Sequence, residues 1–437
     1  MEISDLYKLY CDAGFQVSTD SRSIPAGAVF FALRGENFDG NDYALKALEA
    51  GASYAVVNDD IAVEDPRFIP VADPFSALQQ LAVWHRTHLD IRVIGLTGTN
   101  GKTTTKELIS AALGTKFKVS ATKGNLNNDI GVPLTLLSIS PDTEIAVVEM
   151  GANHPDDIAK LVKVSQPDYG FITNVGTAHL LGFGSYEGVL AAKTELYKWL
   201  GSRRGSLIFV NTDYPDLAAA ARIQPCHQWE FSAGSMKAEL LPTSESDPFL
   251  SLKLGTDEVH TKLVGSYNLP NVLAAIAIAD FFGVDRKASI AAVEAYTPSN
   301  QRSQLVRTET NTLIVDAYNA NPSSMRLAIE NLLSIKATRK LALLGDMREL
   351  GASSLKEHVA IVKLIKENSL PAFLVGDEFA KALEECGTAP GTDSCILGCF
   401  GSSDALADYL AANPPKAATI LVKGSRGIRM EKVIPVL

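Results

Sequence analysis

The run Arg92-Val-Ile-Gly-Leu-Thr-Gly-Thr-Asn-Gly-Lys-Thr-Thr-Thr105 constrains this chain more than any other stretch. It predicts an apolar strand that turns through glycines and enters a helix at a Lys-Thr pair. Glycines let backbone N–H groups turn toward phosphate oxygens, and a helix N-terminus adds positive potential. Lys102 is then placed to neutralise the terminal phosphates of a nucleotide, and the Thr103 hydroxyl to help hold magnesium. Gly98, Thr99, Asn100, Gly101, Lys102, Thr103 and Thr104 form the expected cradle for ATP. The loop departs from strict G-x-x-x-x-G-K-T spacing, because the position five before Gly101 is Leu96.

The same alternation of apolar strands and helical patterns extends to both sides of this loop. Before it, AVFFAL, a turn-rich GENFDGND, a helical YALKALEAGA and the apolar YAVVND make a small α/β module, followed by the amphipathic FSALQQLAVWHRTHLD. After it come EIAVVEMG, YGFITNVG and SLIFVNTD, and then GSYNLPNVLAAIAIADFFG, a packed helix with Gly283 as its stop. A polar stretch, Tyr296 to Gln304, precedes a third series that includes TLIVDAY, KLALLGDM, AFLVGDEF and TILVKGS. Alternating strands and helices imply mostly parallel sheets covered on both faces. The expected fold is α/β in three domains: residues 1–89, a central P-loop parallel-sheet domain at 90–298, and a Rossmann-like domain at 299–437.

Length supports this division, since 437 residues exceed one ordinary core. With 46% hydrophobic and 21% charged residues the chain is globular. A formal charge of −10 argues against a generic nucleic-acid or anionic-membrane binder, but a few cations and a metal can still reverse the potential inside one cleft. The N-terminal segment has no secretory character, and no later run is long and apolar enough for stable membrane insertion. The five cysteines are scattered, as buried or incidental thiols in a reducing cytoplasm would be. A monomer is expected.

TGTNGKTTT resembles the phosphate loop of the Mur ligase and folylpolyglutamate synthetase superfamily, and further motifs recur in the same order along essentially the whole chain. The resemblance implies an ATP-dependent ligase that converts a carboxylate to its acyl phosphate and captures it with an amine. It also implies a magnesium set. Glu149, ending AVVEMG, matches one metal ligand, and His179, in TNVGTAHLLGFGS, matches the ligand of a second ion. Lys193, in AAKTELY, matches a lysine often carbamylated in the superfamily; the carbamate is an anion able to bind magnesium, whereas an ammonium would repel it. Lys102, His179 and Lys193 are the expected catalytic residues. Glu195 is a candidate supporting carboxylate, and His154 either faces substrate or bonds locally. Asn174 and Thr177 are weaker candidates for shaping the His179 loop.

Gly265-Ser-Tyr-Asn-Leu-Pro-Asn271 resembles the family's G-x-H-N-x-x-N stretch, with Tyr267 where histidine is common. Asn268 and Asn271 are expected near the nucleotide or as helix caps. Arg302 matches the linker arginine, although Gln301 replaces the usual glycine before it. Asp316-Ala-Tyr-Asn-Ala-Asn-Pro-Ser-Ser-Met325 and LLGDMRELG resemble the D-alanyl-D-alanine-adding branch of the family. They place Asp316, Tyr318, Asn319 and Asn321 at the nucleotide, and Asp346 and Glu349 on a loop near the substrate. Lys423, Ser425 and Arg426 would meet peptide carboxylates or assist domain closure. Asp20, Ser21 and Arg22 resemble the UDP-sugar end of the substrate site, while Asn41 stands where a histidine is often seen and receives no role. The substrates implied are UDP-N-acetylmuramoyl-tripeptide and D-alanyl-D-alanine.

Overall fold

The computed structural model describes residues 1–60, 65–177, 179–244, 247–389, 391 and 395–437. The central element is a six-stranded, all-parallel sheet. Its strands run in the order His227–Phe231, Leu207–Asn211, Tyr169–Ile172, Arg92–Thr97, Ile145–Glu149 and Val119–Ala121. Buried on both faces, its inner strands read as continuous apolar runs rather than alternating ones. From Arg92–Thr97 the chain first builds one side of the sheet and later the other. A crevice therefore opens at the carboxyl ends of the three middle strands.

The helix Lys102–Leu113 packs beneath Leu269–Phe281, whose Asn271–Ala279 stretch is buried all round. That second helix lacks a polar face because a three-stranded antiparallel sheet, Ala238–Leu240, Phe249–Leu254 and Asp257–Val264, covers part of the same core. The strand-and-helix alternation did not anticipate this sheet. Its local sign is the period-two burial of Asp257–Val264 after a two-residue turn at Gly255 and Thr256.

The N-terminal module carries four parallel strands, Val17–Ser18, Val29–Phe31, Tyr54–Asn58 and Phe68–Val71. Its helix Pro74–His88 starts on a proline capped by the Asp73 carboxylate. Leu78 and Leu81 of this helix share one core with Val132 and Leu136 of the central domain. Each such buried leucine or valine contributes about 1.5–3 kcal/mol. Tyr10 Oη donates to Leu137 O at 2.6 Å, and Arg86 pairs with Asp168 at 2.9 Å, so the two modules are joined by polar contacts as well.

The last sheet runs Gln304–Arg307, Thr312–Asp316, Thr419–Lys423, Lys340–Gly345, Ala372–Val375 and Ile396–Phe400; its first strand is antiparallel and the rest are parallel. Helices cover both faces, as expected of a Rossmann-like domain. No helix among the described residues is long and apolar enough to cross a membrane.

Candidate active site

The glycine loop adopts the geometry its composition demands. Gly98 and Gly101 hold φ of +145° and +77°. A Cβ on Gly98 would lie 2.0 Å from Thr173 Oγ1, and one on Gly101 2.6 Å from Asn271 Oδ1, so neither site admits a side chain. Asn174 clasps the loop, accepting from Asn100 N and donating to Asn100 O, both at 3.0 Å. Lys102 folds back along it, donating to Gly98 O at 2.8 Å and Thr99 O at 3.1 Å.

A cavity of about 810 Å³ lies between this loop and the third domain. Register carries Glu149 to it: Leu96 pairs with Glu149 across adjacent strands, so the carboxylate stands beside the start of the loop. Glu149 Oε1 accepts from Asn127 Nδ2 at 2.8 Å, while the buried Oε2 has no protein hydrogen bond. Thr103 Oγ1 is likewise buried without one. Two unmatched oxygens beside a phosphate loop suit a hard divalent cation, because a buried polar atom without a partner is otherwise costly. Burial pushes the Lys102 pKa down, nearby Glu149 pushes it back up, and Arg302 lowers it again. Lys102 and Arg302 therefore concentrate positive charge in one cleft, which suits an anionic ligand.

Lys193 is 2% exposed. Its Nζ donates to Ala152 O at 3.3 Å and lies 5.5 Å from the Phe183 ring centre. Burial, then repulsion from Lys102, holds its pKa well below the ordinary lysine range. Glu195 is committed elsewhere: its carboxylate accepts from Asp156 N at 3.2 Å and Ala159 N at 2.8 Å, at the head of the helix Asp157–Ser165. The exposed His154 bonds locally, its backbone N–H donating to Asp157 Oδ2 at 2.8 Å.

His179 lines the cavity, and its Nδ1 lies 2.6 Å from Glu349 Oε2 of the third domain. Asn268 and Asn271 line it too, but their side chains serve the scaffold. Thr105 Oγ1 donates to Asn271 Oδ1 at 3.0 Å, Asn271 Nδ2 to Asn268 Oδ1 at 2.9 Å, and Asn268 Nδ2 to Ser303 Oγ at 3.1 Å. These amides tie the phosphate helix to the linker at Arg302. The Arg302 guanidinium stacks 3.8 Å from the Tyr318 ring centre, its Nε buried without a hydrogen bond.

The third domain brings Asp316, Tyr318, Asn319 and Asn321 to the opposite wall. Several expected substrate contacts are instead engaged by protein. Lys423 lines the cavity, but its buried ammonium is held by Asp316 Oδ2 at 2.5 Å and Asn319 O at 3.1 Å. Asp346 caps a helix, accepting from Glu378 N at 3.0 Å and Phe379 N at 2.9 Å. Ser425 Oγ bridges Ala320 O and Arg348 N. Arg426 stays exposed, 5.6 Å from the Tyr318 ring. Asp20 and Arg22 pair with each other at 2.8 Å on an exposed turn of the first domain, with Ser21 between them, outside this cavity. Asn127, which orients Glu149, escaped the sequence reading; its signal was the asparagine-rich loop at 125–128 between a strand and a helix.

Three family models match in order along the chain. "Mur ligase family, catalytic domain" covers residues 16–85, "Mur ligase middle domain" 96–279, and "Mur ligase, glutamate ligase domain" 301–426. The UDP-N-acetylmuramoyl-tripeptide–D-alanyl-D-alanine ligase of Bacillus subtilis is 34% identical over 424 residues, covering 96% of this chain and 92% of the relative. This chain belongs to the Mur ligase family. The ligase of the same name from Escherichia coli is 35% identical, covering 96% of this Mur ligase and 93% of the relative. Among solved structures, MurF from Acinetobacter baumannii superposes with a TM-score of 0.82 at 30% identity, covering 96% of this chain and 92% of that one. The MurF ligase from Thermotoga maritima in complex with ADP superposes at 0.80 with 27% identity, covering 96% of each chain.

Proposed function

We propose that this Mur ligase joins D-alanyl-D-alanine to UDP-N-acetylmuramoyl-tripeptide at the expense of ATP, in the cytoplasmic stage of peptidoglycan synthesis, acting as a monomer. The observation that carries the reading is the single cavity in which Lys102, Glu149 and His179 meet the Asp316–Asn321 loop of the third domain. The near full-length likeness to ligases named for this reaction supports the substrate pair.

An amide cannot form readily from a carboxylate at neutral pH, because hydroxide is a poor leaving group. The tripeptide carboxylate attacks the γ-phosphorus of ATP, giving an acyl phosphate and ADP. The dipeptide amine then attacks the acyl carbon, and phosphate leaves from the tetrahedral intermediate as the amine sheds its proton. Lys102 and the loop N–H groups hold the phosphates in line, and Arg302 adds a second cation. Thr103, Glu149, His179 and a carbamylated Lys193 would hold magnesium, which neutralises charge on the phosphate oxygens. The buried amine of Lys193, its pKa lowered by burial, suits carbamate formation. Tyr318 and the loop around it close the nucleotide side and exclude water, which would otherwise hydrolyse the acyl phosphate. Arg426 is the exposed cation offered to the dipeptide, and Asp20, Ser21 and Arg22 are assigned to the UDP end.

The purified protein should release phosphate from ATP only when UDP-N-acetylmuramoyl-tripeptide and D-alanyl-D-alanine are both present. Stimulation by folate with glutamate, or by one amino acid with UDP-muramyl-dipeptide, would assign it to another branch. ATP binding without turnover under every pairing would make it a nucleotide-regulated binding protein.

A further inference from the structure

Glu349 belongs to the third domain, yet its carboxylate comes within 2.6 Å of His179 Nδ1 of the second, a buried nitrogen that makes no aligned hydrogen bond to any other group among the described residues. Both residues sit in left-handed backbone, with φ of +64° and +53°. Such a conformation is unfavourable for a non-glycine residue and persists where the surroundings enforce it. Here the enforcement is mutual. Leu181 N donates to Glu349 O at 3.4 Å, and a Cβ added to Gly351 would stand 3.0 Å from Leu181 Cδ1. Two strained loops, one from each domain, thus meet at this contact.

An imidazole has two nitrogens with separable duties. A carboxylate at Nδ1 keeps the proton of the neutral ring there and leaves the Nε2 lone pair free to ligate. His179 lines the cavity shared by Lys102 and Glu149, so its ring stands at the wall of the phosphate site. We propose that Glu349 is a positioning residue for the metal centre: closure of the third domain brings its carboxylate to His179 Nδ1 and thereby completes a metal-binding histidine. The inference rests on the magnesium role assigned to His179 above. It makes divalent-ion affinity a property of the closed enzyme, and by reciprocity the ion favours closure. A merely structural ion pair, with Glu349 about half exposed, would add little to anything.

The test uses the full chain, a non-hydrolysable ATP analogue and Mn2+ as the probe, titrated by electron paramagnetic resonance. Glu349→Gln is near-isosteric and keeps an acceptor; it should weaken Mn2+ binding by about 10-fold, and Glu349→Ala by up to about 100-fold. Glu349→Asp, which keeps a carboxylate, should recover part of that loss. Turnover lost in the Gln variant should return as the magnesium concentration is raised. Unchanged Mn2+ affinity in both the Gln and Ala variants overturns the proposal, even if turnover falls. His179→Ala separates the two layers of the argument. If it leaves Mn2+ affinity intact, the metal role of His179 fails; if it weakens binding while neither Glu349→Gln nor Glu349→Ala does, only the role of Glu349 fails.

Discussion

Asn321 Nδ2 donates a 2.8 Å hydrogen bond to Asn100 Oδ1, joining the third domain to the phosphate loop across 221 positions of sequence. Asn100 Nδ2 donates in turn to Ser323 Oγ at 2.9 Å. The oxygen of the same Asn321 side chain accepts from Ser324 N at 2.9 Å and caps the helix Pro322–Ser334. One amide thus starts a helix and reaches the loop that holds the nucleotide.

Asn321→Ala removes the cap and the interdomain bond, along with the hydrogen bond its oxygen accepts from Ser323 Oγ at 2.9 Å. Loss of the cap should cost about 1 kcal/mol in urea denaturation. Loss of the interdomain bond should raise the KM for ATP, and Asn100→Ala should do the same. Because the two side chains share one contact, the double variant should show less than the sum of the single effects on KM.

Lys102→Ala should reduce turnover by about 100-fold or more, since it withdraws a preorganised cation from the phosphates. Its hydrogen bonds go to two carbonyls of its own loop, so the thermal transition should barely move. Full activity in this variant would remove the loop from the mechanism.

Lys193 should carry carbon dioxide in bicarbonate buffer, seen as the corresponding mass increase by native mass spectrometry. Only the neutral amine forms a carbamate, and burial has already pushed this lysine's pKa well below its ordinary range. That depression favours the adduct, and acid, which protonates the amine, should discharge it and lower activity together. Lys193→Met should show no adduct at any pH.

Lys106 is fully buried on the helix Lys102–Leu113, where its ammonium serves Thr122 O and lies 2.8 Å from Glu107. Thr122 Oγ1 accepts from Glu149 N at 2.9 Å. Lys106→Met should cost about 1–3 kcal/mol by urea denaturation, because the Thr122 carbonyl loses its buried partner. The kcat should fall as well, through the loosened seat of Glu149.

Asp20 is pushed down to about 2 by hydrogen bonds from the Arg22 side chain and backbone. Its folded value lies below its unfolded one, so whatever stability it contributes is complete above the usual carboxylate range and is lost as pH falls through about 2. Carboxyl NMR titration should find that low midpoint, and Arg22→Ala should return it toward the ordinary range.

Local order along the chain dictates a good deal. An apolar strand, two glycines, Lys102 and a helix can meet a phosphate in few other ways, and alternating strands and helices lead to parallel sheets. Glu149 and His179 were legible as polar residues closing or following apolar strands. Their convergence on one cavity required the register of the central sheet and the position of the third domain.

Asp346 and Ser425 mark where that local reasoning runs out. A polar residue just past a strand can face a cleft or cap the next helix, and both duties call for the same residue types at the same place. Asp346 caps; Asn321 caps and faces the cleft. The antiparallel sheet at 238–264 escaped for a different reason: its hairpin is local, with Leu254 opposite Asp257, but its first strand is short and a register shift between Phe249 and Ser251 breaks the alternation. Residue order therefore sets the elements and the phosphate-binding turn, because those depend on neighbours within a few positions. Packing of three domains decides which side chains share the cavity, because that depends on contacts between residues hundreds of positions apart.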